Sequence, residues 1–185
     1  MRKLLLSMIS AIMVATLPMG ASAEGDGFLD NVVNTTSRGF AMDGFDVIAY
    51  HTDKAPAKGE QQFSHVYKGR QWLFSSAENR DLFASDPTKY EPRNNGWCAW
   101  AVANGYAAEV DFLEGWFFVD DELYLTWSAE VRDRFLSKKD EMLPLNKENW
   151  SSVHAGLKDG STKFFSHSMR PHLGFVHPQQ IPEES

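Results

Sequence analysis

The chain has 185 residues, enough for one domain of ordinary size, and its 18 basic against 25 acidic residues leave a net charge of −7. A negative chain without a basic patch is a poor partner for nucleic acid and for anionic lipid, which excludes those binding classes. Hydrophobic residues make up 43% and aromatic residues 13%, with six Trp and thirteen Phe. A core of large rings therefore forms without covalent staples.

Residues 1–23 read as a removable export signal. Arg2 and Lys3 open it, Leu4 to Leu17 is apolar apart from Ser7, Ser10 and Thr16, and Pro18 and Gly20 break the run. Ala21-Ser22-Ala23 supplies the small-x-small cleavage pattern, so cleavage near Ala23 exposes Glu24. The apolar run is shorter than the ~20 residues a membrane span needs. The expected location is thus periplasmic or secreted, with no membrane span in the mature chain.

Glu24 to Asp43 has few periodic apolar positions and many turn formers, and is expected to be an arm. Gly44 to His51 carries aromatic and β-branched residues after the Asp43-Gly44 turn and is expected to be a strand. Phe63 to Tyr67 and Gln71 to Phe74 alternate on either side of Lys68-Gly69-Arg70 and predict a hairpin. Ser75-Ser76-Ala77-Glu78 fits a capping box with Ser75 as N-cap, and Leu82 and Phe83 would face the sheet. Asp86-Pro87 ends that helix and starts a short one that Tyr90 closes on the core. Trp97 to Ala103 predicts a helix stopped by Gly105.

Trp116 to Val119 and Leu123 to Trp127 form a second hairpin around Asp120-Asp121, and Ser128 caps a helix with Val131 and Phe135 inward, Leu136 a third candidate. Asp140 to Trp150 is a further helix, interrupted near Pro144. From about Ala155 the composition shifts to Gly, Ser, His and Pro, which marks a domain edge and a mobile tail. The expected fold is α+β: two hairpins joined in a small antiparallel sheet, covered by helices 76–85, 97–104 and 129–138. The expected layout is a signal over 1–23, an arm over 24–43, a domain over 44–154 and a tail over 155–185.

Several residues together resemble the YHS domain family. They are Phe45-Asp46-Val47-Ile48-Ala49-Tyr50, Phe63, Tyr67-x-Gly69, Trp72-x-Phe74-Ser75-Ser76, Phe83, Asp86-Pro87-x-x-Tyr90 and Gly96-Trp97-Cys98-Ala99. The narrower resemblance is to exported, stand-alone members of that family, in which the position of Cys98 is cysteine or selenocysteine; it implies redox or metal chemistry there. The wider family is similar to metal-binding modules of copper- and heavy-metal-transporting ATPases, which use a Phe-Cys-Ser-x-x-Cys pattern. The matching positions here are Ala49, Ser75 and Asn79, and none supplies a thiolate.

Cys98 is the only cysteine, so no internal disulfide forms. It is buried and inert, free and reactive, a metal ligand, or paired with another molecule. A position in the first turn of a helix favours the thiolate and predicts a partly exposed thiol of lowered pKa, whereas a place between Trp97 and Trp100 suits a small buried hydrophobe. His51 and His65 lie on expected strands, and with Cys98 they form a candidate site for copper first, or another transition metal. His167, Met169, His172 and His177 form a second candidate, a metal-capturing tail. GxSxG, P-loop, GxGxxG and HExxH motifs are all absent. A nucleophile pair from Cys98 and one histidine is the remaining enzymatic option, and a non-catalytic module is expected. Two functions follow: a metal-binding or thiol-redox module acting through Cys98, or an interaction module for another envelope protein with no metal.

Overall fold

The computed structural model describes Asn34 and residues 39–167. The expected signal sequence, most of the arm, and Met169, His172 and His177 lie outside the described residues.

The fold is α+β, as expected, but its first element is not a strand. Val47–Thr52 is a helix, α1. Asp46 caps it, its carboxylate accepting from the Ile48 and Ala49 amides. Val47, Ile48, Ala49 and Tyr50 are all fully buried, so β-branched content here reflects burial on every side rather than a pleat.

The first hairpin is as predicted: β1 (Glu60–Tyr67) pairs antiparallel with β2 (Arg70–Phe74), His65 opposite Trp72. Lys68 (φ 51°) and Gly69 (φ 68°) are both left-handed, the conformation a two-residue turn needs to match strand twist. α2 (Ala77–Ser85) follows. Its N-cap is Ser76, which accepts from the Asn79 amide, and not Ser75; the latter is engaged elsewhere. Phe83 is fully buried while Leu82 stays 37% exposed, so only Phe83 faces inward as expected. The Phe83 ring is the hub of an aromatic cluster, with centroids 5.0 Å from Trp72, 5.1 Å from Phe74 and 5.7 Å from Tyr67. α3 (Pro87–Tyr90) has Asp86 as cap and Tyr90 buried.

A 3-10 turn, Arg93–Gly96, leads to α4 (Ala99–Ala103), which starts two residues later than predicted because Cys98 occupies the N-cap. β3 (Ala107–Ala108) precedes the second hairpin, β4 (Trp116–Val119) and β5 (Glu122–Leu125), with Trp116 opposite Leu125. The two hairpins do not join: each is its own two-stranded sheet. α5 (Ala129–Ser137) is capped by Ser128 and buries Val131 and Phe135, while Leu136 is 40% exposed.

α6 (Lys139–Asp159) runs through Pro144 without ending. Proline deletes one intrahelical hydrogen bond, and tertiary contacts hold the helix across it: Asn146 and Asn149 donate their side-chain amides to Ala99 O and Ala103 O of α4, both at 2.9 Å. The edge expected near residue 155 falls inside this helix. Beyond it, β6 (Phe164–Phe165) pairs in parallel with β3, so ordered packing extends to the last described residues. No helix among the described residues is long and apolar enough to cross a membrane.

Candidate functional site

Cys98 is 1% exposed. Its amide donates to Ala108 O at 3.2 Å, and it bridges Leu125 of β5, so the backbone on both sides is tied to the core. Burial pushes the thiol up to about 11; the backbone N–H groups of Ala101, Trp127 and Trp100 pull the other way and lose. The expected exposed thiol of lowered pKa is thus reversed. Amide dipoles at the helix start do favour the thiolate, but desolvation of the fully enclosed sulfur outweighs them.

The predicted metal ligands are not gathered. His51 sits on α1 with its ring against Tyr90 and Phe118, and its Nε2 lies 3.3 Å from Tyr90 O. Burial lowers its pKa and disfavours the charged ring. His65 lies on β1 with its ring edge-on to Phe83. Among the described residues no group of three or more His, Cys, Asp or Glu is placed to hold a metal ion. His51, His65 and Cys98 form no such group. His167, the described member of the tail set, has Nδ1 3.2 Å from Glu109 Oε2 and Nε2 3.3 Å from Trp127 O, and it stacks on the Trp127 ring at 3.8 Å. Both of its nitrogens have partners inside the fold.

What the fold does bring together is Ala49, Ser75 and Asn79, around the fully buried Asp46. Oδ1 accepts from Ile48 N (2.9 Å) and Ala49 N (3.4 Å). Oδ2 accepts from Ser75 N (2.8 Å), Ser75 Oγ (2.7 Å) and Asn79 Nδ2 (2.7 Å). Asn79 Nδ2 also reaches Ser75 Oγ at 3.2 Å. A carboxylate has about four lone-pair sites, so this one is saturated by neutral donors. Its signal was present in the sequence: an Asp directly before a buried apolar run is an N-cap.

The sequence also gave no warning of a cleft of about 690 Å³ beside the 3-10 turn. The turn and α3 form one wall, the β4–β5 turn another, and α6 a third. Two ion pairs line it, Lys68–Glu91 (2.6 Å) and Arg93–Glu122. Asn94 and Asn95 are left-handed, at φ 55° and 50°, and Asn34 braces them by donating its amide to Asn95 O and its side chain to Gly96 O, both at 2.9 Å. Asn94 is 6% exposed and its Nδ2 has no acceptor.

The YHS domain family model matches residues 48–94, from α1 into the 3-10 turn. That span contains Ala49, Ser75 and Asn79 and stops short of Cys98. No curated protein and no solved structure matches the chain. Over residues 48–94 the chain is thus similar to the YHS domain family.

Proposed function

We propose that the chain is an exported, non-catalytic YHS-type binding module that works without a metal, with Cys98 as a core side chain. The observation that carries this reading is the Asp46 cluster. The positions where the wider family resemblance would place soft-metal thiolates are Ala49, Ser75 and Asn79, and they surround a carboxylate whose acceptor sites are filled by five hydrogen bonds. A soft cation finds no thiolate there and no vacant oxygen. The enclosed, protonated Cys98 offers neither a nucleophile nor a ligand at neutral pH. Export is supported by Arg2-Lys3, the apolar run and Ala21-Ser22-Ala23.

Metal analysis after loading with copper(II) or zinc and exhaustive dialysis tests the reading. Both wild type and Cys98→Ala are expected to retain far less than one equivalent. One equivalent held by wild type and lost on substitution overturns the proposal. Alkylation of the native thiol should be slow at neutral pH, rise through about pH 11, and become fast in urea. Sequencing of the secreted protein should begin at Glu24.

A further inference from the structure

The chain holds two Asn-Gly pairs, Asn95-Gly96 and Asn104-Gly105. An asparagine before glycine is a labile amide, because glycine has no side chain to shield its nitrogen from the neighbouring carboxamide. The fold restrains the two pairs in different ways. Asn104 is the C-cap of α4 and is fixed by that helix alone. Its amide donates to Trp100 O and Ala101 O, its side chain donates to Trp100 O, and the Gly105 amide donates to Val102 O. Every one of these partners lies on α4.

Asn95 is fixed from far away. It is half-buried in the wall of the cleft, where water has access to it. Its backbone is left-handed, φ 50° and ψ 33°, a conformation asparagine tolerates. That ψ turns the Gly96 nitrogen away from the Asn95 carboxamide. Ring closure between the nitrogen and Cγ needs ψ rotated through well over a right angle, and the peptide plane joining Asn95 to Gly96 must swing with it. Asn34, 62 positions before Gly96, holds this plane and the next: its amide donates to Asn95 O and its Nδ2 to Gly96 O, both at 2.9 Å. Asn34 is 2% exposed and its own carbonyl accepts from the Met42 amide, so the restraint is anchored in the core. Lys68 Nζ lies 3.5 Å from Asn95 Oδ1, where its positive charge polarises the carboxamide toward attack.

We propose that Asn95 is a dormant self-modification site latched by Asn34. When the latch opens, the Gly96 nitrogen attacks Asn95 Cγ. The N–Cγ bond forms, the Cγ–Nδ2 bond breaks, and the Gly96 amide proton leaves with Nδ2 as ammonia. Water from the cleft then opens the cyclic imide at either carbonyl and leaves aspartate or isoaspartate, with no change of oxidation state. Isoaspartate adds a methylene to the main chain directly before the segment that carries Cys98 into the core, so the original turn does not reform and the change is one-way. Opening near residue 34 is thereby recorded as a permanent negative charge in the cleft wall.

Timed incubation of the full chain at mildly alkaline pH, followed by peptide mass spectrometry, reads conversion at Asn95 and Asn104 in one sample. Native wild type should convert at Asn95 at least about tenfold more slowly than the same chain in denaturing urea, the effect of the two Asn34 hydrogen bonds. Asn34→Ala removes the bond to Gly96 O and should speed native conversion at Asn95 about tenfold while leaving Asn104 unchanged. Wild type in sub-denaturing urea supplies a test that needs no variant: conversion at Asn95 should rise well below the midpoint of global unfolding, because local opening suffices. Equal acceleration at both asparagines in Asn34→Ala overturns the latch, since it reports general loosening. No acceleration at Asn95, native conversion as fast as in denaturing urea, or a rise only through the global transition overturns it as well.

Discussion

Replacing Asp46 with alanine removes five hydrogen bonds that tie the start of α1 to the end of β2 and the first turn of α2. The lost helix cap costs about 1 kcal/mol. Ser75 N and Asn79 Nδ2 then lose their acceptor in a partly buried setting, each worth about 1 kcal/mol at the lower end for unsatisfied buried donors. Ser75 Oγ still accepts from the second proton of Asn79 Nδ2, and its own proton, freed from Asp46, can rotate toward another acceptor. The side-chain void adds a little more, so the expected loss is about 3–4 kcal/mol, a large fraction of the ~5–15 kcal/mol of a typical domain. Asp46→Asn preserves shape and one oxygen, but turns an NH2 toward other donors, and should cost about 2–3 kcal/mol. Urea unfolding followed by tryptophan fluorescence reads both, as a fall in midpoint with unchanged slope. A loss under about 1 kcal/mol for alanine, or asparagine worse than alanine, would refute the claim that the cluster is a structural keystone.

Phe83→Ala should cost about 3–5 kcal/mol, since this fully buried ring touches three aromatic neighbours; urea midpoints check it. Gly115→Ala places a Cβ 2.2 Å from Thr126 O, backbone that cannot yield cheaply, and should cost about 2 kcal/mol, measured by thermal unfolding. The docking of β6 should be pH-dependent at both ends. Its hydrogen bond to Glu109 raises the pKa of His167, so that contribution is complete below the ordinary histidine value and is lost as pH rises through the raised one. The hydrogen bond from His167 lowers the pKa of Glu109, so its contribution is present above the ordinary carboxylate value and is lost as pH falls through the lowered one. The protection factor of the Glu109 amide against hydrogen exchange, an amide that donates to Phe165 O, should be greatest between those limits and flatten with pH in His167→Gln.

Local chemistry was legible wherever it also decided the structure. Lys68-Gly69 and Asp120-Asp121 are turns because both pairs take up left-handed backbone, and Ser128 and Asp86 cap helices as their positions require. Misreadings came where burial replaced periodicity. Val47 to Tyr50 is buried all round, so β-branched residues looked like a strand until Asp46 is recognised as a cap. Of two adjacent serines, the cap is the one whose neighbour was claimed by a carboxylate 29 residues away, a fact no local window holds. Pro144 looked like an interruption because the asparagine contacts that bridge it to α4 are tertiary. For the same reason the choice for Cys98 between an exposed helix-start thiol and a buried one beside Trp97 and Trp100 stayed open in the sequence: enclosure by β5 and by the strand that follows α4 comes from distant pairing. The cleft joins three segments and left no local trace beyond Asn94-Asn95-Gly96.

The parallel pairing of β3 with β6 has a consequence for the order in which the chain acquires structure. Ala107 and Ala108 are completely buried and take Phe164 and Phe165 as partners. The loop between them spans a hairpin and two helices, so its closure entropy must be met before the pairing returns anything. A chain emerging from its N-terminus can build the β1–β2 hairpin and the Phe83 cluster from local contacts, but it cannot seal the floor beneath α4 until residues near 165 have arrived. Under the proposed export, that late seal would keep the nascent chain pliable until its last segment has emerged.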